Sequence, residues 1–169
     1  MLALLREDFL THDRGLLQPG LWALWIHRFG NWRMGIRPRI FRWPFTILYR
    51  LWFRFMVLAF GIDLCYSVKI GRRLRIWHHG GIFINAVSIG DDVCLRHNVA
   101  IGIARRDAEG CPVIEDRADI YTGACIAGSV TVGHDAVVGA NTVVTMDVAP
   151  NTTVVGNPAR RIPGTGTSA

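Results

Sequence analysis

The 169-residue sequence predicts a mainly β fold, a parallel β-helix of hexapeptide repeats preceded by an N-terminal α-helical region. Two observations support this prediction. Aliphatic residues recur every six positions through the C-terminal two-thirds of the chain, and the first 66 residues contain five of the six tryptophans but no hexapeptides. The six-residue spacing predicts the coils, but it does not indicate whether the β-helix is left-handed or right-handed.

The N-terminal region, residues 1–66, is basic and aromatic. The whole chain has a formal charge of +6, and seven arginines but no acidic residue lie between Pro19 and Ile62. Residues 21–34 and 45–60 are expected to be helices, separated by turn-forming glycine and proline residues. Such helices favour a cap on the β-helix or on a neighbouring subunit, with peripheral membrane contact through residues 20–60 as the alternative. No nucleic-acid partner is expected, because aromatic residues without lysine suit packing better than phosphate contacts.

Twelve aliphatic anchors in four groups of three define the coils of the predicted β-helix domain, residues 67–162. In chain order they are Ile70, Ile76, Ile82, Ile89, Leu95, Ile101, Ile114, Ile120, Ile126, Val132, Val138 and Val144. Each hexapeptide supplies a short strand and a turn, so that three of them complete a triangular coil whose anchors point inward. A partial coil at Val155-Gly156 and a flexible tail at 163–169 follow.

Two irregularities interrupt the period. The step from Ile82 to Ile89 is seven residues, which predicts a small bulge between them. The step from Ile101 to Ile114 is thirteen residues, which predicts a polar loop excursion over 102–113. Loops that leave a rigid scaffold often carry function.

The composition argues against several classes of protein. The four cysteines form no C-x-x-C pair, so neither a disulfide scaffold nor a zinc ribbon is expected. The N-terminus lacks the pattern of a secretory signal, and the longest apolar run, Phe55 to Ile62, is far shorter than the ~20 residues of a spanning helix. We therefore expect a cytoplasmic protein, with any peripheral contact at the inner face of the membrane.

One edge of the predicted prism gathers candidate catalytic residues. The positions two residues beyond the second anchor of each coil are His78, His97, Thr122 and Ala140. Two imidazoles followed by small residues predict a catalytic end and a cofactor groove. His78 and the adjacent His79 point in opposite directions on an extended strand, so no metal site is expected within one chain. A zinc site that bridges two chains, as in the β-helical carbonic anhydrases, stays as an alternative.

Four stretches resemble the serine acetyltransferase-like hexapeptide transferases, and among these most closely the colanic acid biosynthesis acetyltransferases. They are Ile70-Gly-Arg-Arg-Leu-Arg-Ile-Trp-His-His-Gly-Gly-Ile82, Arg96-His-Asn-Val-Ala-Ile-Gly102, Gly110-Cys-Pro and Val155-Gly-Asn-Pro-Ala-Arg160. The resemblance covers about residues 44–162. It implies a left-handed β-helix, a homotrimer and acetyl-CoA as co-substrate, with no metal.

The resemblance also implies roles for individual residues. His78 corresponds to the catalytic general base and Asp63 to the acid that orients it. His97 is a further catalytic candidate because of its place in the edge ladder and not because of the resemblance. The implied acetyl-CoA site comprises Thr122, Gly123, Ala140 and Asn141 at the pantetheine arm, and Gly156, Asn157, Pro158, Arg160 and Arg161 at the adenosine end.

The expected acceptor site, formed by Trp77, His79, Gly110 and Cys111, departs from the serine acetyltransferase pattern. Those enzymes carry an acid where Trp77 stands and an Arg-His pair where Gly110 and Cys111 stand. An indole in place of charges suits a sugar ring better than a zwitterion. The sequence therefore predicts O-acetylation of a carbohydrate, an exopolysaccharide or its precursor. Serine O-acetyltransferase is the alternative, and a non-catalytic or metal-dependent β-helix protein is the third hypothesis.

Overall fold

The computed structural model describes residues 1–103 and 110–163, and begins with three helices. They are α1 (Leu2–Thr11), α2 (Pro19–Met34) and α3 (Arg39–Phe60). α2 and α3 match the two predicted helices, although α3 begins earlier and runs through Pro44, where the sequence predicted a break. A proline near the start of a helix removes only one intrahelical hydrogen bond. The neighbouring Phe45 packs edge-on against Trp32 of α2, with ring centroids 5.4 Å apart, which holds this turn in place.

Fifteen short strands follow within the described residues. They are β1 (Ile62–Leu64), β2 (Lys69–Ile70), β3 (Arg75–Ile76), β4 (Ile82–Ile84), β5 (Ser88–Ile89), β6 (Cys94–Leu95), β7 (Ala100–Gly102), β8 (Val113–Ile114), β9 (Asp119–Ile120), β10 (Cys125–Ala127), β11 (Thr131–Val132), β12 (Val137–Val138), β13 (Val143–Val144), β14 (Thr153–Val155) and β15 (Arg160–Arg161).

The strands form the three faces of a triangular prism. One sheet has the order β1-β4-β7-β10-β13, the second β11-β8-β5-β2, and the third β15-β14-β12-β9-β6-β3. From coil to coil the strands pair in parallel, and among the fifteen described strands only β15 turns back to pair antiparallel with β14. The predicted β-helix of hexapeptide repeats with an N-terminal helical region is therefore confirmed.

The predicted anchors form the core of the prism. Ile70 is half-buried, and the other eleven anchors are buried, with at most 4% of the residue exposed. Burial of an aliphatic side chain contributes about 1.5–3 kcal/mol, so this column supplies much of the stability of the solenoid.

The register corrects one detail of the predicted coil. Ile84, not Ile82, pairs with Ile101, whereas Ile82 pairs with Ile62 of β1. Both Ile82 and Ile84 are buried, because alternate residues of β4 point inward. The bulge predicted between Ile82 and Ile89 is therefore wrong: the extra residues lie in the turn between β3 and β4.

The helices dock on the first coil through α2 and α3. A buried ion pair, Asp8 with Arg28, joins α1 to α2, and the same guanidinium donates hydrogen bonds to the carbonyl oxygens of Ile70 and Gly71. Strand β1 already belongs to a prism face, although it lies within residues 1–66. Half of the predicted excursion over 102–113 (residues 104–109) and the tail beyond Pro163 lie outside the described residues. None of the helices in the described ranges has the length and apolarity needed to cross a bilayer.

Candidate active site

The turn between β3 and β4 carries His78. Seven residues separate Ile76 from Ile84 here, whereas five separate their partners Leu95 and Ile101 on the next coil. The two additional residues make this turn longer than the one beneath it. His78 has a left-handed backbone, with φ of 54°, and its side chain is exposed. Non-glycine residues in this conformation are uncommon and are found at turns and functional sites.

The predicted edge ladder is present. The rings of His78 and His97 meet edge to face with centroids 5.7 Å apart. The Nδ1 atom of His97 lies 3.5 Å from Oγ1 of Thr122. The carbonyl of Thr122 in turn accepts a hydrogen bond of 2.9 Å from the amide of Asn141, next to Ala140. The structure thus brings the four ladder residues to one edge, as the six-residue period predicted.

His79 points away from the ladder. Its ring packs edge-on against Phe60, the last residue of α3, with centroids 5.7 Å apart. This contact agrees with the prediction that two adjacent histidines face opposite ways. Within the described parts of the chain, no three His, Cys, Asp or Glu side chains are grouped so that they could hold a metal ion.

Asp63 lies on β1, in register with Phe83 of β4. Burial raises the pKa of its carboxyl above the ordinary aspartate value. Among the residues that the structure describes, no hydrogen bond joins Asp63 to His78. The proposed acid and base therefore occupy neighbouring elements without direct contact.

A cleft of about 330 Å³ lies beside His78, and the start of α2 forms one wall of it. Trp77, His78 and His79 face Gln18, Pro19 and Gly20 across this cleft. The wall can approach so closely only because residue 20 is glycine: a Cβ there would lie 2.8 Å from the carbonyl oxygen of Ile76. No local sequence pattern indicated this contact, which joins residues far apart in the chain.

A cation packs against the indole that borders this cleft. The Arg75 guanidinium stacks 3.7 Å above the ring of Trp77, whose centroid is 6.2 Å from that of His78. Arg75 also forms an ion pair with the exposed carboxylate of Asp13. The sequence analysis did not single out Arg75, although its position directly before Ile76 and Trp77 places it on the same strand.

A buried histidine supports the strand that leads to His78. Nδ1 of His12 lies 2.8 Å from the carbonyl oxygen of Asp8, and its Nε2 is 3.4 Å from the amide of Ile76. Since Nδ1–H donates to Asp8, Nε2 accepts from Ile76. Burial lowers the pKa of His12, which favours this neutral form.

Gly110 and Cys111 lie on a different edge of the prism. They lie in the connection between β7 of the first sheet and β8 of the second, whereas the ladder lies between the third and first sheets. Cys111 is a free, half-buried thiol. One chain therefore does not bring Gly110 and Cys111 to Trp77 and His78, although the sequence analysis assigned all of them to one acceptor site.

The residues expected to hold the pantetheine arm offer free backbone donors. Gly123 and Asn141 have left-handed backbones, and their amides donate to carbonyls of the coil before them. The amides of Thr122 and Ala140 have no hydrogen-bond partner within the described residues. Thr122 and Ala140, each directly before a left-handed residue, thus keep a backbone N–H group that is not used in the hydrogen bonds between coils.

The expected adenosine end continues the same edge. Gly156 follows β14 as Ala140 follows β12, and its amide donates to Oγ1 of Thr142 over 3.1 Å. Asn157 and Pro158 form the exposed turn into β15, where Arg160 and Arg161 are also exposed. The track from His78 to Arg161 therefore runs down one edge of the prism.

Comparison with known proteins identifies relatives that are similar over most of this chain. The serine acetyltransferase of Helicobacter pylori is 34% identical over 163 residues, which cover 94% of this chain and 91% of that protein. The serine acetyltransferase of Mycobacterium tuberculosis is 33% identical over 146 residues, 85% of this chain and 61% of that protein. No family model matches the sequence.

Solved structures give the same result. The serine acetyltransferase of Vibrio cholerae superposes with a TM-score of 0.74 at 31% identity, over 86% of this chain and 55% of that one. The Brucella abortus serine acetyltransferase in complex with coenzyme A gives 0.78 at 25% identity, over 95% and 66%. The chain thus spans about half to two-thirds of the length of most of these relatives.

Proposed function

The chain belongs to the serine acetyltransferase family, and on this basis we propose that it transfers the acetyl group of acetyl-CoA to the side-chain hydroxyl of L-serine. The observation that carries the proposal is the ladder in which the exposed His78 stands above His97 and Thr122. It provides a base at the head of a row of free backbone donors, as a transfer between two bound substrates requires.

The predicted sugar acceptor is wrong. The relatives and structural neighbours are consistently serine acetyltransferases, and none of those named above is a colanic acid or other polysaccharide enzyme. The sugar prediction depended on the absence of charge at Trp77, Gly110 and Cys111. The absence of charged side chains at these three positions does not exclude charged residues elsewhere that could bind the amino and carboxylate groups of serine.

In the proposed reaction the imidazole of His78 removes the proton of the serine hydroxyl. The oxygen attacks the thioester carbonyl, a C–O ester bond forms, the C–S bond breaks, and the CoA thiolate leaves and takes up the proton. General-base catalysis of this kind contributes typically 10²–10⁴-fold in rate. His97, which contacts both His78 and Thr122, keeps the imidazole of His78 oriented toward the bound acetyl-CoA.

Asp63 is proposed to stabilise the imidazolium that forms on His78. The desolvation that raises the pKa of Asp63 also strengthens its interaction with a nearby positive charge. The proposal requires a closer approach of Asp63 and His78 in the substrate complex, because catalytic hydrogen bonds are often loose in unliganded structures.

Acetyl-CoA is proposed to lie along the edge below His97. The free amides of Thr122, which is half-buried, and of Ala140, which is exposed, would donate to the pantetheine carbonyls. Gly123 and Asn141 shape the turns there. Farther down, Gly156, Asn157 and Pro158 would meet the adenosine end, and the exposed guanidinium groups of Arg160 and Arg161 would pair with its phosphates.

For the serine carboxylate we propose Arg75 as the partner. Its guanidinium is held against Trp77, one residue from His78, and guanidinium groups pair with carboxylates in a two-point geometry. Gly110 and Cys111 would complete the pocket only from a neighbouring subunit, because they lie on another edge of the prism. This requirement supports a homotrimer in which each site is shared by two chains.

The direct test is a transfer assay with the full-length protein, acetyl-CoA and L-serine. The expected result is thiol release that depends on serine, with O-acetylserine identified by mass spectrometry. Sugar oligomers with free hydroxyls serve as the comparison acceptors. Thiol release that sugars stimulate and serine does not would overturn the proposal.

A further inference from the structure

The outer face of α3 is an apolar stripe. Six large side chains follow one another at intervals of three and four residues, which places them on one side of the helix. They are Ile40, Trp43, Ile47, Leu51, Phe55 and Leu58, and 40–78% of each residue is exposed. We call this surface the α3 stripe.

The opposite face of α3 already has its partner. Tyr49 and Met56 are 4% and 3% exposed and belong to the core. The α3 stripe is therefore not needed to hold the helix on the prism. Beside it, Trp22, Trp25 and Trp52 line an apolar hollow of about 430 Å³. Exposed apolar surfaces of this extent mark interaction sites.

The charge of α3 is entirely positive. The helix contains Arg39, Arg42, Arg50 and Arg54 and no acidic residue. None of the four forms an ion pair in the parts of the chain that the structure describes. By contrast, Arg117 on the prism pairs with the Asp135 carboxylate at 2.6 Å.

These two properties together identify the partner. Association of two α3 stripes would bring eight uncompensated guanidinium groups together, and a nucleic acid would leave the apolar side chains in water. Four arginines argue against insertion across a bilayer, where each costs about 2.5–3.5 kcal/mol at the centre. We propose that α3 lies flat in the interface of an anionic phospholipid bilayer, with the α3 stripe among the acyl chains.

The geometry of the helix suits this orientation. Its 22 residues span about 33 Å at 1.5 Å per residue, and the stripe extends over most of that length. Arg50 and Arg54 flank one side of the stripe, each beside an exposed apolar residue, Leu51 and Phe55 respectively. Long arginine side chains reach from such positions to the lipid phosphates while their stems remain in the apolar layer.

Sedimentation with lipid vesicles tests the proposal without any assay of acetyl transfer. The full-length protein is mixed at low salt with vesicles of phosphatidylcholine alone, or of equal parts of phosphatidylcholine and phosphatidylglycerol. It is expected to sediment with the anionic vesicles and to be released by salt. The double variant Leu51→Ser/Leu58→Ser should bind at least about tenfold more weakly. Arg50→Gln/Arg54→Gln should lose about fivefold per arginine on anionic vesicles only.

Met146→Ser is the matched control, because Met146 is a similarly exposed apolar residue on the last coil, far from the helices. It should bind as the wild type does, and thermal unfolding verifies that every variant is folded. Wild-type protein that stays in solution with both vesicles overturns the proposal. Light scattering then shows whether the stripe joins two copies instead, in an assembly that Leu51→Ser/Leu58→Ser dissociates. Equal binding to both vesicle types would refute the anionic requirement.

Discussion

The imidazole rings of His78 and His97 meet at an interplanar angle of 83°, with centroids 5.7 Å apart, although they lie on successive coils of the prism. The edge of one ring therefore faces the π surface of the other, a preferred arrangement of aromatic pairs. His97 also lies next to Thr122 on the following coil. One side chain thus connects the proposed base with the proposed acetyl-CoA track.

Replacement of His78 tests the assignment of the base. His78→Ala is expected to lower kcat by about 10²–10⁴-fold, because the serine hydroxyl then loses its proton acceptor. The affinity for CoA, measured by calorimetry, should stay nearly unchanged, since Thr122 and Ala140 lie on later coils. His134→Ala is the control, because His134 lies in the turn between β11 and β12, on another edge of the prism, with its Nδ1 atom 2.8 Å from the Asp135 carboxylate. If His78→Ala kept more than a tenth of the wild-type turnover, another group would have to be the base.

The free amide of Ala140 can be tested by removing it. Asn141 has a left-handed backbone with φ of 55°, and a turn with such a residue at its third position accepts proline at the second. Ala140→Pro is therefore expected to fold normally but to bind CoA about 3- to 10-fold more weakly, the effect of one lost hydrogen bond. Ala140→Ser keeps the amide and is the control. Unchanged CoA affinity in a folded Ala140→Pro protein would exclude the amide from the site.

Arg75 offers a test of the serine site. Arg75→Gln should raise the KM for serine about tenfold or more, while the KM for acetyl-CoA changes little, because a charge-assisted hydrogen bond to the acceptor carboxylate is lost. Arg73→Gln is the matched control: Arg73 also pairs with an aspartate, Asp92 at 2.5 Å, but lies in the turn between β2 and β3, whereas Arg75 belongs to β3. An equal rise in the KM for serine in both variants would indicate a general effect of lost positive charge and would exclude Arg75 as the partner of the serine carboxylate.

Hexapeptide spacing predicted the coils because each anchor has one function, to fill the prism. The exception is β4, where Ile82 and Ile84 both point inward: the six-residue spacing selected Ile82, whereas Ile84 is in register with Ile101. The wall formed by Gln18 and Gly20 could not be predicted either. It depends on how α2 docks against Ile76, and no period in the sequence describes that contact.

The acceptor prediction failed for a related physical reason. The charges absent at Trp77, Gly110 and Cys111 were interpreted as the properties of a single pocket. The structure separates these residues between two edges and places the Arg75 guanidinium against Trp77. Local motifs identify which residues are present, whereas the charge of a pocket depends on side chains that arrive from other strands or from other subunits.

The buried His27 predicts how stability depends on pH. Its Nε2–H donates to the carbonyl of Val68 over 2.9 Å, and burial lowers its pKa from 6.5 to about 4. The folded protein therefore favours the neutral form of the His27 imidazole.

Below pH 6.5 the unfolded chain binds a proton at His27 that the folded protein does not bind. The free energy of unfolding therefore decreases as the pH is lowered. The loss from this group is about 2 kcal/mol between pH 7 and pH 5, and it ends near pH 4. Burial also lowers the pKa of His12, which adds to this loss of stability, and raises the pKa of Asp8, which opposes the loss.

Urea unfolding of the wild type and of His27→Gln at pH 7 and pH 5 isolates the contribution of His27. The variant should be less stable at pH 7 but lose less stability on acidification, and an equal loss in both proteins would show that His27 does not carry this dependence.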